Sequence, residues 1–368
     1  MADSNLHRLA ALGQSVWVDN LSRDLVTEGG LARMIAEDAV TGVTSNPTIF
    51  QKALADGQAY DAQLREVVAT TSDPKEIFVA LASQDVADAC DILDPVWEAT
   101  GGHDGYVSME VDPRFAFDIQ ATLDEAMRFH TQINKRNLMV KIPATKPSLA
   151  AIEEMIARGK SINVTLIFSL ERYVEVVNAY IDGLTRLVED GGDPSTVHSV
   201  ASFFVSRVDS EADKRLDAIG GHDDLKGKLA VANARLAYEA YERLFSGPAW
   251  EALAAKGAHP QRCLWASTST KDPAYPDTMY VDELIGKNTV NTMPEETIAA
   301  FQDHGNPRPD TVKRNVAEAH AFMKELAAAG VSYDDVTALL EHEGVSKFEA
   351  SFIQLLEGVA HARDAVPR

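Results

Sequence analysis

Eight short apolar runs, separated by longer stretches of helical spacing, constrain this chain more than any other feature. They are SVWVD (15–19), TGVTS (41–45), GYVSMEV (105–111), NLMVKI (137–142), SINVTLIF (161–168), VHSVASFFVS (197–206), RCLWAS (262–267) and NTVNTM (288–293). Several are apolar almost throughout, the mark of parallel strands covered on both faces. Between them ALADGQAYDAQLREVVAT, FDIQATLDEAMRFHTQINKR, SLERYVEVVNAYIDGLTRLVED and KLAVANARLAYEAYERLF carry apolar residues three and four apart, as amphipathic helices do. Strand–helix alternation repeated eight times in 368 residues predicts an α/β fold, a closed (β/α)8 TIM-type barrel. The competing architecture is an open doubly wound sheet. That form ordinarily carries a phosphate loop, and neither GxGxxG nor GxxxxGK[ST] occurs. From about residue 310 the pattern is purely helical, in VKRNVAEAHAFMKELAAAG, YDDVTALLEHEG and SKFEASFIQLLEGVAHARDA. No linker-like composition precedes these stretches, so residues 310–368 are expected to be additional C-terminal helices within one 1–368 domain. They either cover the barrel or make a homo-oligomeric interface.

In such a barrel the active site lies at the C-terminal ends of the strands, so the polar residue that ends each run matters. The first run ends in Asp19, and the second leads into Thr44, Ser45, Asn46 and Pro47. The third carries Glu110, the fourth Lys141, the fifth Asn163 and Thr165, and the sixth Ser202 and Arg207. The seventh ends in Ser267, with Lys271 in the following loop. Singly, most have ordinary explanations. Asp19 and Asn46 suit helix caps and turns, small hydroxyls are common at strand ends, and Arg207 and Lys271 suit solvated loops. Glu110, between Met109 and Val111, is less ordinary. Lys141, in LMVKIPAT, is least ordinary of all, because lysine is almost never fully buried without a partner. Together these residues converge on one end of one barrel.

Chemistry gives that convergence a purpose. A lysine among apolar neighbours loses hydration as the cation, so its pKa is expected to fall toward neutrality. The neutral amine attacks a ketone and forms a Schiff base, which then serves as an electron sink for C–C cleavage. A carboxylate near the amine shuttles the protons, and Glu110 on the adjacent strand is suited to this. Asp19 is a candidate base for the substrate hydroxyl released in retro-aldol cleavage. Asn46 and Asn163 suit the hydroxyls of a polyol, and Arg207 and Lys271 suit a phosphate.

The remaining composition narrows the class. The net charge of −22 disfavours nucleic acid and anionic membranes as partners, so the cations that hold a phosphate must be local. No apolar run approaches the roughly 20 residues of a membrane helix, and the N-terminus lacks a secretory pattern. Two cysteines, Cys90 and Cys263, form no CxxC pair. A cytoplasmic protein with free thiols is expected. Histidine is absent from the strand-end set, which argues against a zinc-dependent aldolase. A magnesium site of carboxylates alone stays open on Asp19 and Glu110.

TGVTSNPTIF, GYVSMEV, LMVKIPAT, SINVTLIFS, SVASFFVSR and NTVNTMP resemble, in order and spacing, the strand motifs of transaldolases across about residues 15–300. The resemblance implies a (β/α)8 barrel with a Schiff-base lysine on the fourth strand. It also implies cofactor-free transfer of a dihydroxyacetone unit from a ketose phosphate to an aldose phosphate. Sedoheptulose 7-phosphate and glyceraldehyde 3-phosphate would give erythrose 4-phosphate and fructose 6-phosphate, a step of the pentose phosphate pathway. By the same resemblance Lys141 is the nucleophile, Glu110 works through a water and Asp19 serves the cleaved hydroxyl. Thr44, Asn46, Asn163, Thr165, Ser202, Phe204, Arg207 and Ser267 bind substrate. In one place the chain departs from the pattern. Better-known members carry a phosphate-binding Arg soon after the Ser of the seventh strand, whereas STSTKDP supplies Lys271 two residues later, without the bidentate fork. Two other readings share these residues: a simple aldolase that releases dihydroxyacetone to water, and a catalytically silent barrel. The second predicts loss of the lysine or its partners, and all are present.

Overall fold

The computed structural model describes residues 4–55 and 58–366. Eight parallel strands close into one barrel in chain order. They are β1 (Gln14–Val18), β2 (Val40–Val43), β3 (Tyr106–Glu110), β4 (Leu138–Pro143), β5 (Ile162–Ile167), β6 (Ser199–Phe204), β7 (Arg262–Ala266) and β8 (Thr289–Met293). Closure comes from β1 pairing with β8, Gln14 against Thr289 through Val18 against Met293. The expected (β/α)8 barrel is the observed one, and each strand lies within two residues of the apolar run that announced it. The helices that matter for the site are α1 (Asn5–Ala11), α2 (Pro47–Ala55), α3 (Pro74–Ala99), α4 (Ile119–Ile133), α5 (Ser148–Ala157), α6 (Leu170–Glu189), α7 (Ser206–Ile219), α8 (Leu229–Leu244), α9 (Glu295–His304), α10 (Val316–Ala328) and α11 (Tyr333–Ala365). Within the helical stretch ALADGQAYDAQLREVVAT, residues 56 and 57 lie outside the described residues. Its flanks fall in α2 and in a separate helix, Asp61–Val68.

Side-chain size decides how the strands approach one another. The indole of Trp17 lies across β2, and a Cβ at Gly42 would come within 2.4 Å of its ring. Only glycine at 42 allows β1 and β2 to pair with Trp17 fully buried. At the opposite end from the strand C-termini, the buried Arg262 guanidinium donates to the carbonyls of His103 (2.8 Å) and Thr289 (3.0 Å). It also lies 3.8 Å from Asp104, so the barrel floor is tied by one neutralised charge.

The C-terminus differs from the sequence reading in one respect. YDDVTALLEHEG and SKFEASFIQLLEGVAHARDA form a single 33-residue helix, α11, running through Gly344. One glycine inside a helix costs only about 1 kcal/mol against alanine, and here it has a packing use. A Cβ at 344 would stand 3.1 Å from Leu166 Cδ2 and 3.4 Å from the Phe168 ring, so glycine brings α11 down onto the end of β5. Leu166 has a positive φ of 61°, at the place where the β5–β6 register breaks between Val164 and Ile167. The helix then lies against α2, α3 and α7, over the C-terminal mouth of the barrel. Among the described residues no helix is long and apolar enough to cross a membrane.

Candidate active site

Strand register assembles the centre. Glu110 pairs with Lys141 across β3 and β4, and Lys141 pairs with Asn163 across β4 and β5. Paired residues on neighbouring parallel strands share a face of the sheet, so the three polar side chains form one layer inside the barrel. Lys141 is 5% exposed and Glu110 9%, which leaves the amine little water with which to share its charge. The Nζ lies 3.3 Å from Glu110 Oε2, an ion pair not aligned as a hydrogen bond, and donates to the Ser45 carbonyl at 3.1 Å. That carbonyl is fixed because Ser45 Oγ donates to the Ser108 carbonyl on β3 at 2.7 Å.

Burial raises the Glu110 carboxyl to about 7, against the pull of the Lys141 charge. Asp19 is also raised from the ordinary carboxylate range, chiefly by removal from water, with Lys141, Thr44 and Arg207 opposing. Thr44 Oγ1 donates to Asp19 Oδ1 at 2.7 Å and lies 2.6 Å from Thr292 Oγ1, so β1, β2 and β8 meet at one carboxylate.

Above this layer opens a cavity of about 310 Å³. Lys141, Asp19, Thr44, Asn46, Thr165, Ser202, Phe204, Arg207, Ser267 and Lys271 all line it. The Thr165 hydroxyl is buried without a hydrogen-bond partner, a polar atom left for whatever enters. Arg207 sits in the first turn of α7 rather than on β6. Its guanidinium lies 5.1 Å from the Phe204 ring and 6.0 Å from that of Phe348. It has no hydrogen-bond or ion-pair partner among the described residues, so its fork is free. Loss of water lowers its pKa, opposed by Asp19, Glu343 and Glu110. Lys271 stands exposed at the rim and donates to Ser269 Oγ at 2.6 Å. Its pKa is lowered by partial desolvation and by the Arg207 charge. Ser267, at a positive φ of 57°, shares a 2.9 Å hydrogen bond with Ser206.

Two expected site residues stand behind the cavity wall rather than on it. Glu110 reaches the cavity only through Lys141. Asn163 is fully buried: its amide donates to Ser108 Oγ (3.0 Å) and its carbonyl oxygen accepts from Ser202 Oγ (2.6 Å). Both polar ends are thus used within the protein, and Asn163 holds Ser202 in place.

Conversely, the cavity is lined by residues that the strand-end reading missed: Thr48, Ile49 and Lys52 of α2, Ser269, Thr292, Glu296 of α9, and Phe348 of α11. Thr292 was visible as the polar end of the eighth run, and Lys52 follows Asn46 on the next helix. Phe348 gave no local signal, because it belongs to an apolar stripe with Val345 and Phe352 that reads as core. Among the described residues no group of three or more His, Cys, Asp and Glu side chains is arranged to hold a metal.

The family model described as Transaldolase/Fructose-6-phosphate aldolase matches residues 16–359. A curated relative named Transaldolase, from Acidothermus cellulolyticus, is 52% identical over 364 residues, covering 99% of this chain and 98% of its own. Transaldolase 1 of Streptomyces avermitilis is 54% identical over 359 residues, covering 97% of this chain and 95% of its own. Transaldolase of Frankia alni is 52% identical over 357 residues, 96% of each chain.

Proposed function

The chain belongs to the transaldolase/fructose-6-phosphate aldolase family, and from that premise we propose how its own residues carry the reaction. It is an enzyme of the transferase class, acting on sugar phosphates through a lysine Schiff base. Lys141 is the nucleophile. Glu110 takes a proton from the Lys141 ammonium, and the amine adds to the C2 carbonyl of a ketose phosphate. The same proton is then returned to the departing hydroxyl, giving the iminium and one water. Asp19 accepts the C4 hydroxyl proton as the C3–C4 bond breaks, its electrons moving into the iminium to leave an enamine. The aldose phosphate departs, and a second aldose phosphate takes its place. The enamine carbon attacks that aldehyde, Asp19 returns the proton, and hydrolysis frees the new ketose phosphate.

The observation that carries this assignment is the buried Lys141–Glu110 pair at 3.3 Å, opening on a cavity that also holds Asp19 and the free Arg207 fork. Arg207 with Lys271 and Ser267 suits the phosphate, and Asn46 and the unpartnered Thr165 hydroxyl suit the sugar hydroxyls. Phe204 packs the wall between them, and Asn163 acts by fixing Ser202. This reading makes the C-terminal helices part of the catalytic unit and the protein a cytoplasmic one without nucleic-acid or membrane partners.

Incubation with fructose 6-phosphate followed by borohydride should leave a dihydroxyacetone-sized adduct on the Lys141 peptide. Addition of erythrose 4-phosphate before reduction should discharge it. Lys141→Arg should give neither adduct nor turnover while keeping the wild-type circular dichroism spectrum. An adduct on another lysine, or ordinary turnover in that variant, would remove Lys141 from the mechanism.

A further inference from the structure

Among the described residues, Phe348 alone brings α11 into the active-site cavity. Its ring centroid lies 5.8 Å from Lys141 Nζ and 6.0 Å from the Arg207 guanidinium carbon. A sugar held covalently at one end and by its phosphate at the other must therefore run along this ring. The ring is held firmly. One turn before it, Gly344 seats the helix on Leu166 and Phe168. One turn after it, Phe352 packs edge-on against Phe78 at 5.7 Å, and Phe78 against Phe50 at 5.5 Å. Phe348 is only 6% exposed.

The position matters for one step. When the first aldose has left, the enamine on Lys141 has two fates. Its nucleophilic carbon attacks the acceptor aldehyde, which is transfer. Alternatively, that carbon takes a proton, water adds to the resulting iminium, and dihydroxyacetone is released with the amine restored. The second path consumes one water and needs water at the enamine; an apolar ring over the amine withholds it. On the reading of Lys141 given above, we propose that Phe348 is a further specificity-determining residue, which favours transfer over aldol release by shielding the enamine from water. The C-terminal helix is then a fixed roof that adds one apolar side chain to the wall around the enamine.

The test measures two products from fructose 6-phosphate and erythrose 4-phosphate: sedoheptulose 7-phosphate and free dihydroxyacetone. Phe348→Ala should raise the ratio of released dihydroxyacetone to transferred product by about tenfold, the factor made by about 1.4 kcal/mol of barrier. Phe348→Leu, which restores apolar bulk, should return most of the way. Phe352→Ala loosens the same helix without lining the cavity and should leave the ratio where it was. If Phe348→Ala does not fold, Phe348→Met and Phe348→Gln make the comparison, since only the polar one should leak. An unchanged ratio in a variant that still forms the Lys141 adduct would overturn the proposal. So would an equal rise in Phe352→Ala, which would assign the effect to helix seating. Absence of the adduct in the wild type would instead sink the underlying Schiff-base assignment, so the two failures are distinguishable.

Discussion

Glu110 stands 3.3 Å from the Lys141 amine, so the state of its own carboxyl decides whether that amine has a base. While the carboxyl is protonated, it cannot take a proton from the amine. Once it is ionised, it can, and the nucleophile forms. Burial sets the Glu110 loss at about 7, so the rate should climb as pH rises through that value. Glu110→Gln should abolish this acid limb and lower kcat by about 10²–10³ while KM changes little. A Gln variant that keeps both the limb and the turnover number would exclude Glu110 from the shuttle. Much of this pair was readable in the chain, since LMVKIPAT and SMEV flag charged residues where only apolar ones should be comfortable. Asn163 shows the limit. Its strand and depth were plain, yet only the structure shows both amide ends used on Ser108 and Ser202. Phe348 was unreadable for a physical reason: a helix's apolar stripe does not reveal which member overhangs a cavity built from distant strands.

At the scale of elements, the loops and helices after the strands depend on ties that can be tested. Asp209 of α7 accepts from Ala230 N and from Tyr280 OH, each at 2.7 Å, joining α7 to α8 and to the short helix before β8. Burial raises its carboxyl to about 7. A raised carboxyl contributes stability that is complete below its unfolded value near 4 and is lost as pH rises through 7. Asp209→Asn removes that titration. Between pH 5.5 and 8.5 the variant should therefore gain on the wild type by about 2 kcal/mol, measured by denaturant unfolding at each pH. A difference that does not move with pH would show that Asp209 folds ionised. Elements were legible where periodicity was regular, which is why all eight strands fell near their expected places. The single α11 was not, because a glycine reads as a break unless its packing partner, here Leu166, is known.

The whole molecule is a barrel that needs its last helix. Val336, Leu340, Val345, Phe348, Phe352, Leu355 and Val359 are all buried on α11. At about 1.5–3 kcal/mol for each such side chain, they amount to roughly 10–20 kcal/mol, as much as the net stability of an entire domain. A chain ending at Ser332 is therefore expected to lose cooperative thermal unfolding and to bind hydrophobic dyes. A truncated protein with a sharp, native-like transition would make α11 an appendage.

The register of Glu110 against Lys141 also bears on how such an enzyme changes over generations. Their separation is fixed by the spacing of two hydrogen-bonded strands, so no drift in loop length can part them. Lys271 sits on an exposed rim loop, which tolerates insertion and replacement far better. Mutation is therefore free to try new acceptors and new chain lengths at the rim while inheriting the bond-making machinery intact.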